Sequence, residues 1–414
     1  MKIAGSLVDT PVEMAPEVHA PFVVIDENGK RAIYLVALKA LCGMLVAALL
    51  WHKQFRKDLE SEGFEFNPHD PCVANKIVDN KQHTVRFHVD DLWSSHIHKW
   101  VNDKFLEWLN EKCGSHGEVK AERSEYFDYL GVKYDFREKG KVKLDMRDCV
   151  KAMINDFPVD LGNEIELHPC PTNLLTDSDG ESLSKETAQH FHTFVAKGLF
   201  ACKRARPDIH LPVSVLSSRV SQPATSDWEK LLHMMKFLNG TAEDVLTLAA
   251  DNLHTHYWFA DSSFAVHPDF KSHTGGNFTF GIGSAINASA KQKLNTRSST
   301  EAELVGADDM VTPLLWTRLF MDAQGYPAKK IILFQDNMST IKLLLDGKKS
   351  SSKRTRAINI RCFFLTDQIE KGHLEISYCH TKFMVADYFT KPLQGSPEVT
   401  MRNWIMGKTP IPIN

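Results

Sequence analysis

The sequence predicts an α/β chain, with α+β detail, organised as more than one domain. Three observations carry this. Short apolar runs that alternate with polar residues, such as "TVRFHV" (Thr84 to Val89), have the period of half-buried strands. Stretches such as "HKWVNDKFLEWLNEKCG" place Trp100, Phe105, Trp108 and Leu109 at helical spacing. From about residue 254 the pattern runs strand, strand, helix, strand, helix, helix, strand, helix, an α/β layer pattern with an antiparallel start. A length of 414 residues agrees with two or three domains.

Taken in order, residues 1–30 read as loop plus a short strand, and "KRAIYLV" as a strand. "KALCGMLVAALLWHKQFRKDLESEG" reads as a long helix ending at Gly63. "FEFNPHDPCVANKIV" gives a turn and a strand, and a hairpin closes at Asp79–Asn80. "YFDYLGVKYDFREKGKVKLDM" is a hairpin turned at Glu138–Gly140, and "RDCVKAMINDFP" is a short helix stopped by Pro158. Residues 159–183, rich in Pro, Asn, Asp and Gly, read as a linker, and 184–250 as helices. The later strands are "THYWFAD", "GNFTFGIGSAI", "IILFQDN" and "HLEISYCH", with "MVADYFTKPL" as the last helix.

Composition narrows the function classes. A formal net charge of −3 gives no global support for nucleic-acid binding, so such a role must rest on local basic patches. The eight cysteines form no CxxC pair; Cys113 with His116 has no second pair at zinc-finger spacing, so no zinc site and reduced thiols are expected. The opening residues hold no uninterrupted apolar core of a secretory signal. The longest apolar run, Ala32 to Trp51, contains Lys39 and continues into charge, which favours a strand and a buried helix over a membrane span.

Chemistry is concentrated at element ends. Asp261 ends "HYWFAD", Asp336 ends "IILFQD", Glu301 and Glu303 open a helix, and Asp387 opens another. Converging carboxylates cage hard divalent cations, and two such ions can clamp the attacking and leaving oxygens of a phosphodiester. The alternatives are structural: Asp336 as a helix cap, and "SSTE" or "TEAE" as capping boxes. If Ser298 is the cap, Glu301 closes the box and Glu303 stays available to a metal. Between helices, five of the nine residues from Lys348 to Arg356 are cationic. Lys348, Lys349, Lys353, Arg354 and Arg356 are candidates for tracking phosphates.

From Trp258 to Gly395 the chain resembles the ribonuclease H domain of copia-type retrotransposon polyproteins, on the runs "FADSSFAVHPDFKSHTGG", "SSTEAEL", "QDNMSTIKLL" and "VADYFTKPLQG". The resemblance implies a mixed five-stranded sheet with helices. It implies two Mg²⁺ ions (Mn²⁺ as a substitute) held by Asp261, Glu303, Asp336 and Asp387, and hydrolysis of RNA in RNA–DNA hybrids. His380, seven residues before Asp387, is a candidate proton shuttle, although such elements more often carry Pro here.

The resemblance extends upstream. "LKALCGMLVAALLWHKQF", "GFEFNPHDPCVANK", "FHVDDL" and "YFDYLGV" are similar to a reverse-transcriptase palm, and "FVAKGLFACKRARPDIHLPVSVLSSRV" to the helical thumb or connection that follows it. On this reading Asp90 and Asp91 are metal-binding polymerase carboxylates. Tyr129, Leu130 and Gly131 hold the primer, and Gly43 lies where the nucleotide approaches the backbone. His88 and Cys42 depart from the usual Tyr at their positions, and the upstream aspartate motif is missing. The expected division is a partial reverse transcriptase at 1–158, linker and helical thumb or connection at 159–252, a ribonuclease H-like domain at 253–400, and a tail at 401–414. The expected partners are RNA–DNA hybrid, primer–template and other polyprotein parts, with no membrane, in a cytoplasmic retroelement particle or the nucleus. Ribonuclease H is expected as the activity and primer extension is not. The competing reading is a decayed or domesticated protein that binds hybrid without cutting it.

Overall fold

The computed structural model describes residues 2–36, 46–114, 117–347 and 364–413. Gly43, His116 and the five cationic residues of the 348–356 loop lie outside the described residues. The chain forms two compact units, residues 1–66 with 72–102, and residues 67–71 with 103–414.

In the first unit an antiparallel meander is formed by Asp70–Val78, Lys81–His88 and Asp91–Ser95. Asp79 and Asn80 turn its first hairpin at φ 51° and 55°, the left-handed pair that a two-residue turn requires. The helix Ala47–Ser61 lays Phe55 against Phe87 with ring centroids 5.1 Å apart. Among the described residues no helix is long and apolar enough to cross a membrane. The first residues are more structured than loop plus strand. Lys2–Ala4, Val23–Ile25 and Arg31–Tyr34 form a three-stranded sheet with short helical turns between.

The second unit holds two five-stranded sheets. One is wholly antiparallel, in the order Gly281–Ile282, Leu246–Ala250, Lys141–Asp145, Val132–Asp135, Tyr126–Tyr129. The strand Leu246–Ala250 corrects the helical reading of 184–250. Its "LTLAA" composition carries no strong period, and pairing with Lys141–Leu144 decides it. Helices Lys185–Cys202, His210–Ser217 and Thr225–Gly240 contribute Phe191, Phe194, Val213, Met234 and Phe237 to the adjoining core.

The other sheet is mixed, in the order Ile286–Lys291, His273–Thr279, Thr255–Ser263, Lys330–Gln335, Glu375–Tyr378. The first two pairings are antiparallel and the last two parallel. Alternation along Thr255–Ser263 feeds two cores, because successive side chains point to opposite faces. Trp258 and Ala260 join Leu304, Ala307, Met310 and Leu314 of the long helix Ser299–Ala323. Phe259 instead joins Phe334, Val385, Ala386 and Phe389. This last segment is a correction: Val385–Phe389 is a 3-10 turn and not a regular helix. Residues 401–405 continue the helix Gly395–Ile405 rather than trailing as a tail.

Candidate active site

Three elements bring the central carboxylates together. Phe259 is paired in parallel with Phe334, so carrying the register two residues on sets Asp261 beside Asp336 at the carboxyl ends of neighbouring strands. Carboxyl ends of parallel strands are where open α/β sheets bind ligands. Glu303 comes from the first turns of the long helix. Ser298 Oγ accepts from the Glu301 amide at 3.2 Å, and Glu301 Oε2 accepts from the Arg297 amide at 2.7 Å. The capping acid therefore reaches one residue beyond the cap, and Glu303 is left to the site. Asp336 is likewise not the cap of its helix. Asn337 Oδ1 accepts from the Thr340 amide at 3.1 Å and takes that role.

Asp261, Glu303 and Asp336 each offer a carboxylate oxygen, and these oxygens lie within 4.8 Å of one another. Side chains that the sequence did not single out hold them in place. Thr390 Oγ1 donates to Asp261 at 2.5 Å, Gln335 Nε2 to Glu303 at 3.3 Å, and Thr381 Oγ1 to Asp336 at 2.8 Å. The turn that carries Thr390 comes close because Gly275, opposite Asp261 on the next strand, has no side chain. A Cβ there would stand 2.5 Å from Thr390 Cγ2 and 2.6 Å from the Ala386 carbonyl.

Asp387 is buried beside this group but outside its mutual 4.8 Å spacing. Its Oδ1 accepts from Lys391 Nζ at 2.6 Å, and the same ammonium stands 3.4 Å from Asp261 Oδ2. A cavity of about 340 Å³ adjoins Asp387, with Thr381, Lys382, Phe383 and Trp404 in its walls. His380 is exposed, and its Nδ1 accepts from the Lys382 amide at 3.1 Å.

The electrostatics follow from burial and crowding. Burial, then the charges of Asp261 and Asp336, push the Glu303 carboxyl up to about 9. Burial and Asp261 push Asp387 up to about 8 against the pull of Lys391. Burial works against the Lys391 ammonium, but Asp261 and Asp387 outweigh it and hold the group charged beyond the usual lysine range. The donor set fits a hard divalent cation: it is all oxygen, closely spaced, and buried at Asp261 and Glu303 with Asp336 half-buried, and a cation relieves the repulsion that otherwise forces a proton onto Glu303.

The remaining sequence candidates fall elsewhere. Asp90 and Asp91 are exposed at the hairpin that joins Lys81–His88 to Asp91–Ser95, with Val89 at φ 53°. Among the described residues no further Asp, Glu, His or Cys closes a three-ligand group with them. Their exposure also removes the desolvation cost that adjacent carboxylates incur at the end of a core strand. Leu130 and Gly131, at φ 54° and 76°, turn a tight hairpin between Tyr129 and Val132, and Tyr129 is buried.

Fold and site together define a class: an α/β fold whose mixed five-stranded sheet carries a closely spaced acidic triad suited to a divalent metal ion. The chain is similar to a retrovirus-related Pol polyprotein from transposon TNT 1-94 of Nicotiana tabacum, 24% identical over 385 residues, which are 88% of this chain and 27% of that protein. It is also similar to the transposon Ty1-DR5 Gag-Pol polyprotein of Saccharomyces cerevisiae, 24% identical over 377 residues, 86% of this chain and 21% of that protein. The chain thus spans between a fifth and about a quarter of the length of these curated relatives. Among solved structures, a foamy viral protease–reverse transcriptase in complex with double-stranded DNA aligns with 86% of this chain and 62% of its own, at 14% identity and a TM-score of 0.48. No family model matches. The similarity is that of a region of retrotransposon-like Gag-Pol polyproteins.

Proposed function

We propose that this chain is the reverse transcriptase–ribonuclease H region of a copia-type element, and that its activity is Mg²⁺-dependent hydrolysis of the RNA strand of RNA–DNA hybrids. The observation that carries the reading is the meeting of three carboxylates, two buried and one half-buried, from two parallel strands and a helix start. Bound divalent ions supply polarisation of the scissile phosphate and an activated water. The protein's own residues do the rest. Asp261, Glu303 and Asp336 provide the oxygens, with Asp387 completing the set. Thr390, Gln335 and Thr381 fix the carboxylate orientations, which preorganises the site. His380, solvent-facing and next in sequence to Thr381, which holds Asp336, is suited to exchange protons with solvent.

We assign residues 253–400 to the ribonuclease H-like domain, 1–158 to a partial polymerase, and 159–252 to a thumb or connection. The hybrid duplex and primer–template are the partners, met in a cytoplasmic particle or the nucleus. Asp90 and Asp91 stand without a third described ligand, so this chain is expected not to extend a primer.

The test is cleavage of an end-labelled RNA–DNA hybrid with Mg²⁺, with Asp336→Asn as control. Cutting that needs Mg²⁺ and is lost in the variant supports the reading. Binding of the hybrid without Mg²⁺-dependent cutting overturns it in favour of a hybrid-binding protein.

A further inference from the structure

Lys391 stands among the carboxylates. It lies four residues after Asp387, and the turn between them brings its side chain back over that residue, with the Lys391 amide donating to the Asp387 carbonyl at 3.0 Å. Its Nζ is 2.6 Å from Asp387 Oδ1 and 3.4 Å from Asp261 Oδ2, so one ammonium bridges two buried acids. The side chain keeps 37% of its exposure, so its arm has a solvent side along which to withdraw. Asp261 is therefore shared. Asp261 offers a carboxylate oxygen to the group with Glu303 and Asp336, and its Oδ2 faces Lys391 and accepts from Thr390 Oγ1.

We propose that Lys391 is a built-in counter-ion occupying the cation position between Asp261 and Asp387. One divalent ion then binds at Asp261, Glu303 and Asp336 without disturbing it, and a second binds only by displacing the Lys391 ammonium toward solvent. This rests on the metal-site reading above. The physical reason is charge. One ammonium offsets one of the two carboxylate charges, and a divalent cation placed beside it would meet a like charge at contact distance. Lys391 is on this account a positioning residue that makes metal loading sequential, and it keeps two buried acids partly compensated before loading.

Mn²⁺ binding to the full chain, followed by electron paramagnetic resonance and calorimetry, tests this. The wild-type protein is expected to bind one Mn²⁺ tightly and a second at least tenfold more weakly. Lys391→Met should tighten the second site by about tenfold or more, in line with removing a neighbouring like charge. Unchanged or weakened second-site binding overturns the proposal. Glu303→Gln should remove the first, tight site; if it leaves all Mn²⁺ binding intact, the metal-site reading itself fails, whatever Lys391 does. A measurement on the unmodified protein guards against a misfolded variant. Acetic anhydride labelling read by mass spectrometry should show the Lys391 amine becoming more reactive as Mg²⁺ fills the second site. Labelling that stays constant, or falls, across that titration also overturns the proposal.

Discussion

Glu303 is the residue at which burial and repulsion meet. Its carboxyl is raised to about 9, above the ordinary range near 4.3. A raised carboxyl contributes stability that is present below the unfolded value and is lost as pH rises through the folded one. Asp387, raised to about 8, acts with the same sign. The buried histidines His210 and His273 are lowered to about 3 by burial, so they act in acid and are silent above neutrality. The metal-free protein should therefore lose melting temperature between pH 7 and 9, and Glu303→Gln should flatten that slope; thermal unfolding in EDTA across this range decides it. An unchanged slope in the variant would mean that Glu303 is ionised without metal. Legibility at this scale was uneven. Asp261, Glu303 and Asp336 could be picked out because acids recur together at strand ends and helix starts, although each alone could have served as a cap. Gln335, Thr381, Thr390 and Lys391 could not, since their partners lie up to 130 residues away and only the folded chain joins them. The one local hint was that Lys391 follows Asp387 by four residues, the spacing of a helical ion pair.

Two elements show how backbone geometry sets what the side chains can do. Gly275 lets the 385–389 turn lie against the strand that carries Asp261. Gly275→Ala should push Thr390 and the turn outward, cost about 1–3 kcal/mol as overpacking does, and lower hybrid cleavage more than it lowers hybrid binding. Chemical denaturation with parallel cleavage and binding assays checks this; a variant of wild-type stability and rate would show that the turn is not held by this contact. In the first unit, Val89 takes φ 53° in the Asp90 hairpin, a conformation that a β-branched residue adopts only under strain. Val89→Asn should raise the stability of the hairpin on the order of 1 kcal/mol, because Asn tolerates the left-handed region. Slower amide exchange across Lys81–Ser95 is the expected sign, and faster exchange would contradict it. The strand–turn–strand pattern of this hairpin was readable from alternation and from "VDD", whereas its strain was not. The missed strand Leu246–Ala250 has the opposite cause: its sequence is weakly patterned, and its neighbours across the sheet make it a strand.

At the scale of the whole molecule, the α/β class followed from periodicity, because each face of a strand declares which core it serves, whereas the mixed five-stranded sheet came from the family resemblance. The grouping of the chain into two units followed from neither, since long-range contacts determine it. That grouping has a consequence for metal response. The acidic triad belongs to residues 67–71 and 103–414, and Asp90 and Asp91 to residues 1–66 and 72–102. A ligand stabilises the state and the region that bind it, in proportion to its occupancy. Mg²⁺ should therefore slow amide exchange in Thr255–Ser263, in the start of Ser299–Ala323 and in Lys330–Gln335. The exposed Asp90–Asp91 hairpin should exchange as before, because two carboxylates facing solvent without a third ligand hold a divalent ion weakly. Hydrogen exchange read by mass spectrometry, with and without Mg²⁺, resolves both regions in one experiment. Equal protection of the hairpin would show that Asp90 and Asp91 complete a metal site of their own, and the expectation that this chain does not extend a primer would fall with it.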